Sequence, residues 1–125
     1  MNIQALLKAT SREEALRLLH SSLPHTEESH EIATGLDACA DAVREFHHAF
    51  NHPVADSPVN LSEERAIKRS SWMLEELTEF TTAETVVDRA DAMIDLIYFA
   101  LGTLVEMGVQ PGKLFEIVQV SNMAK

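Results

Sequence analysis

The apolar run from Ala92 to Val105 constrains the fold of this chain more than any other sequence feature. On a helix, its apolar side chains point in almost every direction around the axis, so neighbours must enclose the helix on several sides. The run is too short to cross a bilayer about 30 Å thick, and it contains Asp95, so it belongs to a protein core. Because a chain of 125 residues has few other helices, we expect a second copy to complete that core. The alternative is a compact monomer with one central helix.

Capping residues and the spacing of apolar residues predict four main helices. They cover about Glu28–Phe50, a segment capped by Ser62 that ends near Phe80, a segment opened by a Thr81–Glu84 capping box that ends at Gly108, and a last helix beginning at Pro111. A shorter helix is expected from Ser11. No run alternates with period two, so no sheet is predicted. The expected fold is an all-α antiparallel helical bundle, completed by dimerisation.

Net charge restricts the possible partners. Twenty acidic against ten basic residues give a net charge of −10, which leaves no basic surface for nucleic acid and disfavours acidic membranes. The chain has a single cysteine, Cys39, and its first residues lack the pattern of a targeting segment. We therefore expect a cytoplasmic protein that binds neither nucleic acid nor membranes.

The predicted third main helix carries an acidic stripe. Its residues Asp88, Asp91 and Asp95 lie within about 60° of one another around the axis. Such a stripe is often a solvated face. Asp95, however, stands among apolar neighbours, where an unpaired charge costs several kcal/mol, so it needs a cation.

A matching acidic group lies on the predicted second main helix. Glu75, Glu76 and Glu79 fall within about 100° of one another, opposite an apolar side that carries Ile67, Leu74 and Leu77. Alone, these glutamates would be read as the wet side of a helix. Facing the aspartates, they form an oxygen-only cluster, which is the type of site that Mg²⁺ prefers and in which Mn²⁺ can substitute.

Several motifs follow one another in a characteristic order. They are Glu76–Glu79, Asp91–Thr103, Glu106–Gly108, Phe46–Phe50 ahead of Pro53, and the closing segment Val120–Lys125. Together they resemble the all-α nucleoside triphosphate pyrophosphohydrolases, the superfamily of MazG, the dimeric dUTPases and phosphoribosyl-ATP pyrophosphohydrolase, and in particular the last of these branches.

The resemblance covers residues 43–125, so residues 1–42 would be an N-terminal helical extension of a single domain, 1–125. It implies an all-α dimer or dimer of dimers that uses Mg²⁺ to split a nucleoside triphosphate into a monophosphate and pyrophosphate, a nucleotide-pool housecleaning reaction. The family's second acidic element is commonly Glu-x-x-Asp, and Ala92 occupies its Glu position here. Asp91 or Asp88 could supply the missing oxygen.

A triphosphate carries about four negative charges. An acidic site can bind it only if divalent cations lie between the carboxylates and the phosphates, and this suggests roles for the acids. We expect Glu76, Glu79 and Asp95 to be metal ligands, with Asp91 as a further ligand. Glu75 is either a ligand or the base that activates the attacking water.

Candidate substrate contacts lie outside the acidic groups. Lys125 and Asn122 could meet phosphate oxygens, whereas Lys68 and Arg69 are more simply read as surface charges. Aromatic residues could wall a base, and His47 could lie near it. The expected substrate-binding residues are Lys125, Asn122, Trp72, Phe50 and His47, with Phe46 as a further aromatic candidate.

Two other functions compete with this interpretation. The pairs Glu27/His30 and Glu45/His48 each have the Glu-x-x-His spacing of di-iron bundles, but on one helix they would lie roughly 27 Å apart. The chain could also be a non-catalytic helical dimerisation module whose acids keep it soluble. An aspartate inside an apolar run argues against that reading.

Overall fold

Four α-helices form the described part of the chain. The computed structural model describes residues 27–125, with side chains from residue 34 onward. The helices are α1 (Glu27–Ala49), α2 (Glu63–Thr82), α3 (Val86–Met107) and α4 (Pro111–Met123), and no strand occurs among these residues. The all-α prediction is confirmed. The helix predicted from Ser11 lies outside the described residues.

The helices pack in three main pairs. Helix α2 packs against α3, and α1 packs against both α3 and α4. Between α3 and α4 the chain bends by 118°. None of the described helices is by itself long and apolar enough to cross a membrane; α3 and α4 meet that criterion by length and composition only as a bent pair.

The helix ends at Ser62, Gly108 and Pro111 match their sequence signals. The Ser62 hydroxyl accepts a hydrogen bond from the Arg65 amide and caps α2, and Pro111 stands in the first turn of α4. Gly108 ends α3 in the left-handed conformation, with φ of 67°. A β-carbon there would also collide with the backbone carbonyl of Ser57, so two constraints require glycine.

The start of α3 differs from its prediction. The expected capping box at Thr81–Glu84 does not form, and Thr85 caps α3 by accepting a hydrogen bond from the Asp88 amide. The hydroxyls of Thr81 and Thr82 instead donate to carbonyl oxygens four residues earlier within α2. Both threonines thus belong to α2, which continues two residues beyond Phe80.

A small apolar core joins α1 to the C-terminal half of α3. Its buried members are Ala40, Val43, Leu101 and Val105, and Leu36 and Val54 pack against them. In α1 the buried face continues to His47, whereas Phe46 and Phe50 are exposed. The phenylalanines lie beside the buried face because His47 takes the inward position.

Helix α2 turns its polar side towards α3. Arg69 is 3% exposed, while Leu74, on the opposite side of α2, is 63% exposed. The enclosure predicted for α3 is incomplete in the described chain, since Ile97 is 50% exposed. We call five of the exposed apolar side chains on this pair of helices the outer apolar residues: Ile67, Leu74, Leu77, Ile94 and Ile97.

The packing of α4 yields a stability prediction. Ile117 is 0% exposed, so Ile117→Ala should lower the free energy of unfolding by about 2–5 kcal/mol through lost burial and a residual cavity. Val86→Ala, at an exposed position, should change it by less than about 0.5 kcal/mol. Urea denaturation of both variants measures the difference, and equal effects would contradict the packing of α4 described above.

Candidate functional site

The acidic groups of α2 and α3 meet around Glu76. This residue is half-buried on the side of α2 that faces α3, and its Oε2 atom is buried with no hydrogen-bond partner among the described residues. The pKa of Glu76 is raised to about 7, most strongly by burial and in addition by the nearby carboxylates of Glu79, Asp95 and Glu75. The structure thus brings together the four acids that the sequence assigned to catalysis.

The other two acids of the predicted stripe are not among the carboxylates that raise the pKa of Glu76. Asp91 and Asp88 are exposed on α3. Within the described residues, no three histidine, cysteine or acidic side chains converge closely enough to hold a metal ion as they stand. The acids therefore form an electrostatic cluster, and their side chains must rotate before several of them can ligate one ion.

The cluster has the chemistry of a cation site. A buried carboxylate oxygen without a partner, among other carboxylates, is unfavourable until a positive charge satisfies it. Its donors are all oxygen atoms, which suit hard cations such as Mg²⁺. Glu75 and Glu79 are exposed, so both have the freedom to reorient towards an ion.

An aromatic cleft lies beside the acidic cluster, between α2, α3, the end of α1 and the loop that follows α1. It has a volume of about 220 Å³ and is lined by Phe46, His47, His52, Arg69, Trp72, Tyr98 and Phe99. Trp72 stacks on Phe99 with ring centroids 5.8 Å apart. Trp72 precedes Glu76 by four residues and Phe99 follows Asp95 by four, so the cleft begins about 6 Å, one helical turn, from the acids.

A buried ion-pair network holds one wall of the cleft. Glu106 accepts hydrogen bonds from Arg65, at 2.6 Å and 3.0 Å, and from Nε of Arg69. Burial alone would raise the pKa of Glu106, but the two arginines outweigh it and lower that pKa below its ordinary value. Removing one partner of such a network leaves a buried charge unpaired, at a cost of about 3–5 kcal/mol.

The sequence interpretation of Arg69 as a surface charge was wrong, because Glu106 draws its guanidinium into the interior. Lys68, by contrast, is exposed as expected. A signal was present: Glu106 is an acid at the end of a long apolar helix, so it needed a cation for the same reason as Asp95. Arg65 and Arg69 offer two, four residues apart on one helix face.

His47 is a neutral member of the same wall. Its Nδ1 atom lies 2.8 Å from the Pro53 carbonyl oxygen, which only accepts, so Nδ1 carries the proton. Its Nε2 atom lies 3.3 Å from Nη2 of Arg69 and accepts from it. Burial lowers the pKa of His47, and the charge of Arg69 lowers it as well. Together these effects outweigh the hydrogen bond to Pro53, which raises that pKa.

Three predicted substrate residues lie away from the cleft lining. Phe50 is exposed and packs on Phe46, with ring centroids 4.8 Å apart. Asn122 and Lys125 are exposed near the end of the chain, and α4 packs mainly against α1. The structure therefore brings Trp72 and His47 together at the cleft but does not bring Phe50, Asn122 or Lys125 to it.

The pKa of Glu76 predicts a pH dependence of stability in metal-free protein. As pH rises from 4.5 to about 7, the folded state retains a proton that the unfolded state has released, so the free energy of unfolding should fall. Glu76→Gln removes this contribution. Urea denaturation with a chelator at several pH values should show wild type losing stability relative to the variant across this window.

Glu64→Gln is the matched control for this experiment, since Glu64 is an exposed glutamate in the first turn of the same helix. It should follow wild type at every pH. A constant stability difference between wild type and Glu76→Gln would mean that the carboxyl of Glu76 titrates as it does in water.

One comparison with known proteins identifies the family of the chain. The family model described as phosphoribosyl-ATP pyrophosphohydrolase matches residues 43–122, which include the acidic cluster and the cleft. No curated protein and no solved structure matches the chain. The chain belongs to the phosphoribosyl-ATP pyrophosphohydrolase family, within the MazG-like all-α superfamily, and is accordingly a pyrophosphohydrolase, a hydrolase that acts on acid anhydrides.

Proposed function

We propose that the chain is a Mg²⁺-dependent nucleoside triphosphate pyrophosphohydrolase that acts in the cytosol on an NTP or dNTP, releases the monophosphate and pyrophosphate, and clears the nucleotide pool. The observation that supports this most is that the acidic cluster lies about one helical turn from an aromatic cleft to which α2 and α3 also contribute residues. A nucleotide likewise has a phosphate end that needs cations and a flat base that stacks on aromatic rings.

The metal part of the proposal assigns Glu76, Glu79 and Asp95 as ligands. Asp91 is a fourth ligand, which replaces the family glutamate that is absent at Ala92. Support comes from the unpartnered Oε2 atom of Glu76 and from the oxygen-only donor set. Mg²⁺, when bound, neutralises phosphate charge and stabilises the pyrophosphate leaving group, and Mn²⁺ can take its place.

The remaining residues position the substrate and the water. Glu75 is exposed at the edge of the cluster, where it can orient a water molecule and accept its proton. Trp72 and His47 wall the base. Asn122 and Lys125 stay our proposed phosphate contacts on the resemblance of the closing segment alone.

Substitution of single acids tests the metal site. Glu79→Gln or Asp95→Asn should reduce pyrophosphate release by on the order of 100-fold or more, because each removes a charged ligand but preserves side-chain size. Mg²⁺ should no longer raise the melting temperature of either variant. Glu64→Gln should keep wild-type turnover. Full activity in both cluster variants would refute the ligand assignment.

Assembly is the second part of the proposal. The outer apolar residues are too many for the surface of a stable soluble chain, and we propose that a second copy covers them in a homodimer or a tetramer. An obligate interface of this kind resembles a core cut in half. The opposite, polar side of each helix is then free to form the site.

Sedimentation at micromolar concentration tests this assembly. Wild type should sediment as a dimer or tetramer, and Leu74→Asp or Ile97→Asp should shift it to the monomer. Leu101 is unsuitable for the test because it is already buried within one chain. Val59→Asp, at an exposed apolar loop position, is the matched control. A monomeric wild type would show that the outer apolar residues are not an interface.

Isotope labelling tests which bond is broken. Water activated by Glu75 should attack the α-phosphorus, because that attack releases pyrophosphate in one step. Hydrolysis in ¹⁸O-labelled water should therefore place the label in the nucleoside monophosphate. Label in pyrophosphate or orthophosphate would refute this step but would leave the metal assignment standing.

The alternative functions have less support. Both Glu-x-x-His pairs lie on α1, and their offset of 18 residues separates them by roughly 27 Å, so one chain cannot form a shared di-iron site from them. Membership of a pyrophosphohydrolase family argues against a purely structural dimerisation module.

A further inference from the structure

His47 makes two hydrogen bonds inside the wall of the aromatic cleft, and each of them fixes the state of one ring nitrogen. The Pro53 carbonyl oxygen, 2.8 Å from Nδ1, only accepts, so Nδ1 must carry a proton. Nη2 of Arg69, 3.3 Å from Nε2, only donates, so Nε2 must offer its lone pair. The fold therefore accommodates His47 in one state, the neutral ring with its proton on Nδ1.

The surroundings of Nε2 leave little room for another arrangement. His47 is 3% exposed, and a β-carbon on Gly102 would lie 3.0 Å from its Nε2 atom and 2.9 Å from Nη1 of Arg69. Both side chains thus pack closely against the bare backbone of α3. A proton added at Nε2 would point at a guanidinium nitrogen, and no described residue offers Nε2 an acceptor. Protonation of His47 is therefore incompatible with its contact to Arg69.

Titratable and charged side chains surround His47 from three other parts of the chain. They are Arg65 and Arg69 on α2, Glu106 and Tyr98 on α3, and His52 in the loop after α1. Arg69 and His52 disfavour a positive charge on the ring, whereas Glu106 favours one. Because Glu106 already pairs with both arginines, its attraction for a further cation is reduced. Burial, above all, keeps the pKa of His47 below its ordinary 6.5, so a proton enters only under acidic conditions.

We propose that His47 is a positioning residue of the cleft: its neutral form holds Arg69 in the wall, and its protonation releases Arg69 and weakens ligand binding in the cleft. The inference rests on the proposed function, in which the cleft holds the base. A proton from solvent takes up the Nε2 lone pair, so the Nη2 donor of Arg69 loses its acceptor. The Trp72 ring lies 5.0 Å from the guanidinium carbon of Arg69, so this release changes the aromatic wall as well.

Nitrogen NMR of the histidine rings in metal-free wild type tests the state of His47. At about pH 8 its signals should show a proton on Nδ1 and none on Nε2. As pH falls below 6.5, protonation of His47 should coincide with a change in the fluorescence of Trp72, the single tryptophan of the chain. A proton on Nε2 at about pH 8, a ring that stays neutral down to about pH 5, or a titration that leaves the fluorescence unchanged would overturn the proposal.

Binding of adenosine and uridine measures the consequence for the cleft, because neither carries a phosphate or a group that titrates between about pH 5 and 8. Wild-type affinity for the tighter nucleoside, followed through Trp72 fluorescence, should fall as His47 titrates, approaching ~10-fold for each further pH unit. His47→Gln offers a donor and an acceptor but takes up no proton in this range, so its affinity should vary much less.

The comparison also separates His47 from the acidic cluster. Glu76 and its neighbours titrate in both chains, so any pH dependence that remains in His47→Gln belongs to them. Equal pH dependence of the two chains would overturn the proposal. Should His47→Gln not fold, the NMR and fluorescence titration of wild type decides.

His48→Gln is the matched control, because His48 is the exposed neighbour of His47 on α1. It should keep the wild-type pH dependence, and loss of that dependence would overturn the proposal. Failure of the proposed function gives a different result. A chain in which Trp72 responds to His47 but which binds neither nucleoside would support the positioning role and refute the base site. Binding that does not change with pH, in an enzyme that releases pyrophosphate, would refute the positioning role alone.

Discussion

Helices α2 and α3 pack against each other through their polar sides. The candidate site depends on this contact. At one end of the contact, Arg65 and Arg69 compensate Glu106, so the buried charges there are paired. At the other end, Glu76 and Asp95 approach each other with like charge, and no basic side chain answers them in the described residues. The same packing thus produces a rigid wall and an unsatisfied acidic cluster.

This arrangement also accounts for the outward direction of the apolar side chains. A helix that turns its charged side inward must present its apolar side outward, as Leu74 does. In an isolated soluble chain that arrangement would be unfavourable by roughly 25 cal/mol for each Å² of apolar surface left in water. The proposed partner copy and the proposed site would therefore both follow from this one packing arrangement.

Much of the fold was readable from local sequence signals. The caps at Ser62 and Gly108 and the proline at Pro111 depend on neighbouring residues only. The acidic cluster followed from the helical spacing of acids on two consecutive helices. The capping box at Thr81 failed because the same hydroxyl can bond backward into its own helix, and sequence spacing does not decide between the two bonds.

Local sequence signals do not predict which residues form the wall of the cleft. Whether Arg69 meets Glu106, 37 residues away, depends on how α2 is rotated and shifted along α3. The inward position of His47 depends in the same way on how α1 packs. Such features follow from tertiary register, which apolar periodicity alone does not determine when both sides of a helix can be buried.

One crystal structure would test the central claim most directly, that the acidic cluster and the cleft form a single nucleotide site. The protein would be crystallised with Mn²⁺ and an α,β-methylene analogue of a nucleoside triphosphate that it hydrolyses, and the metal located by its anomalous signal. Our account predicts Mn²⁺ between Glu76 and Asp95 with the base stacked in the cleft against Trp72. Mn²⁺ bound elsewhere, or a base outside the cleft, would contradict it.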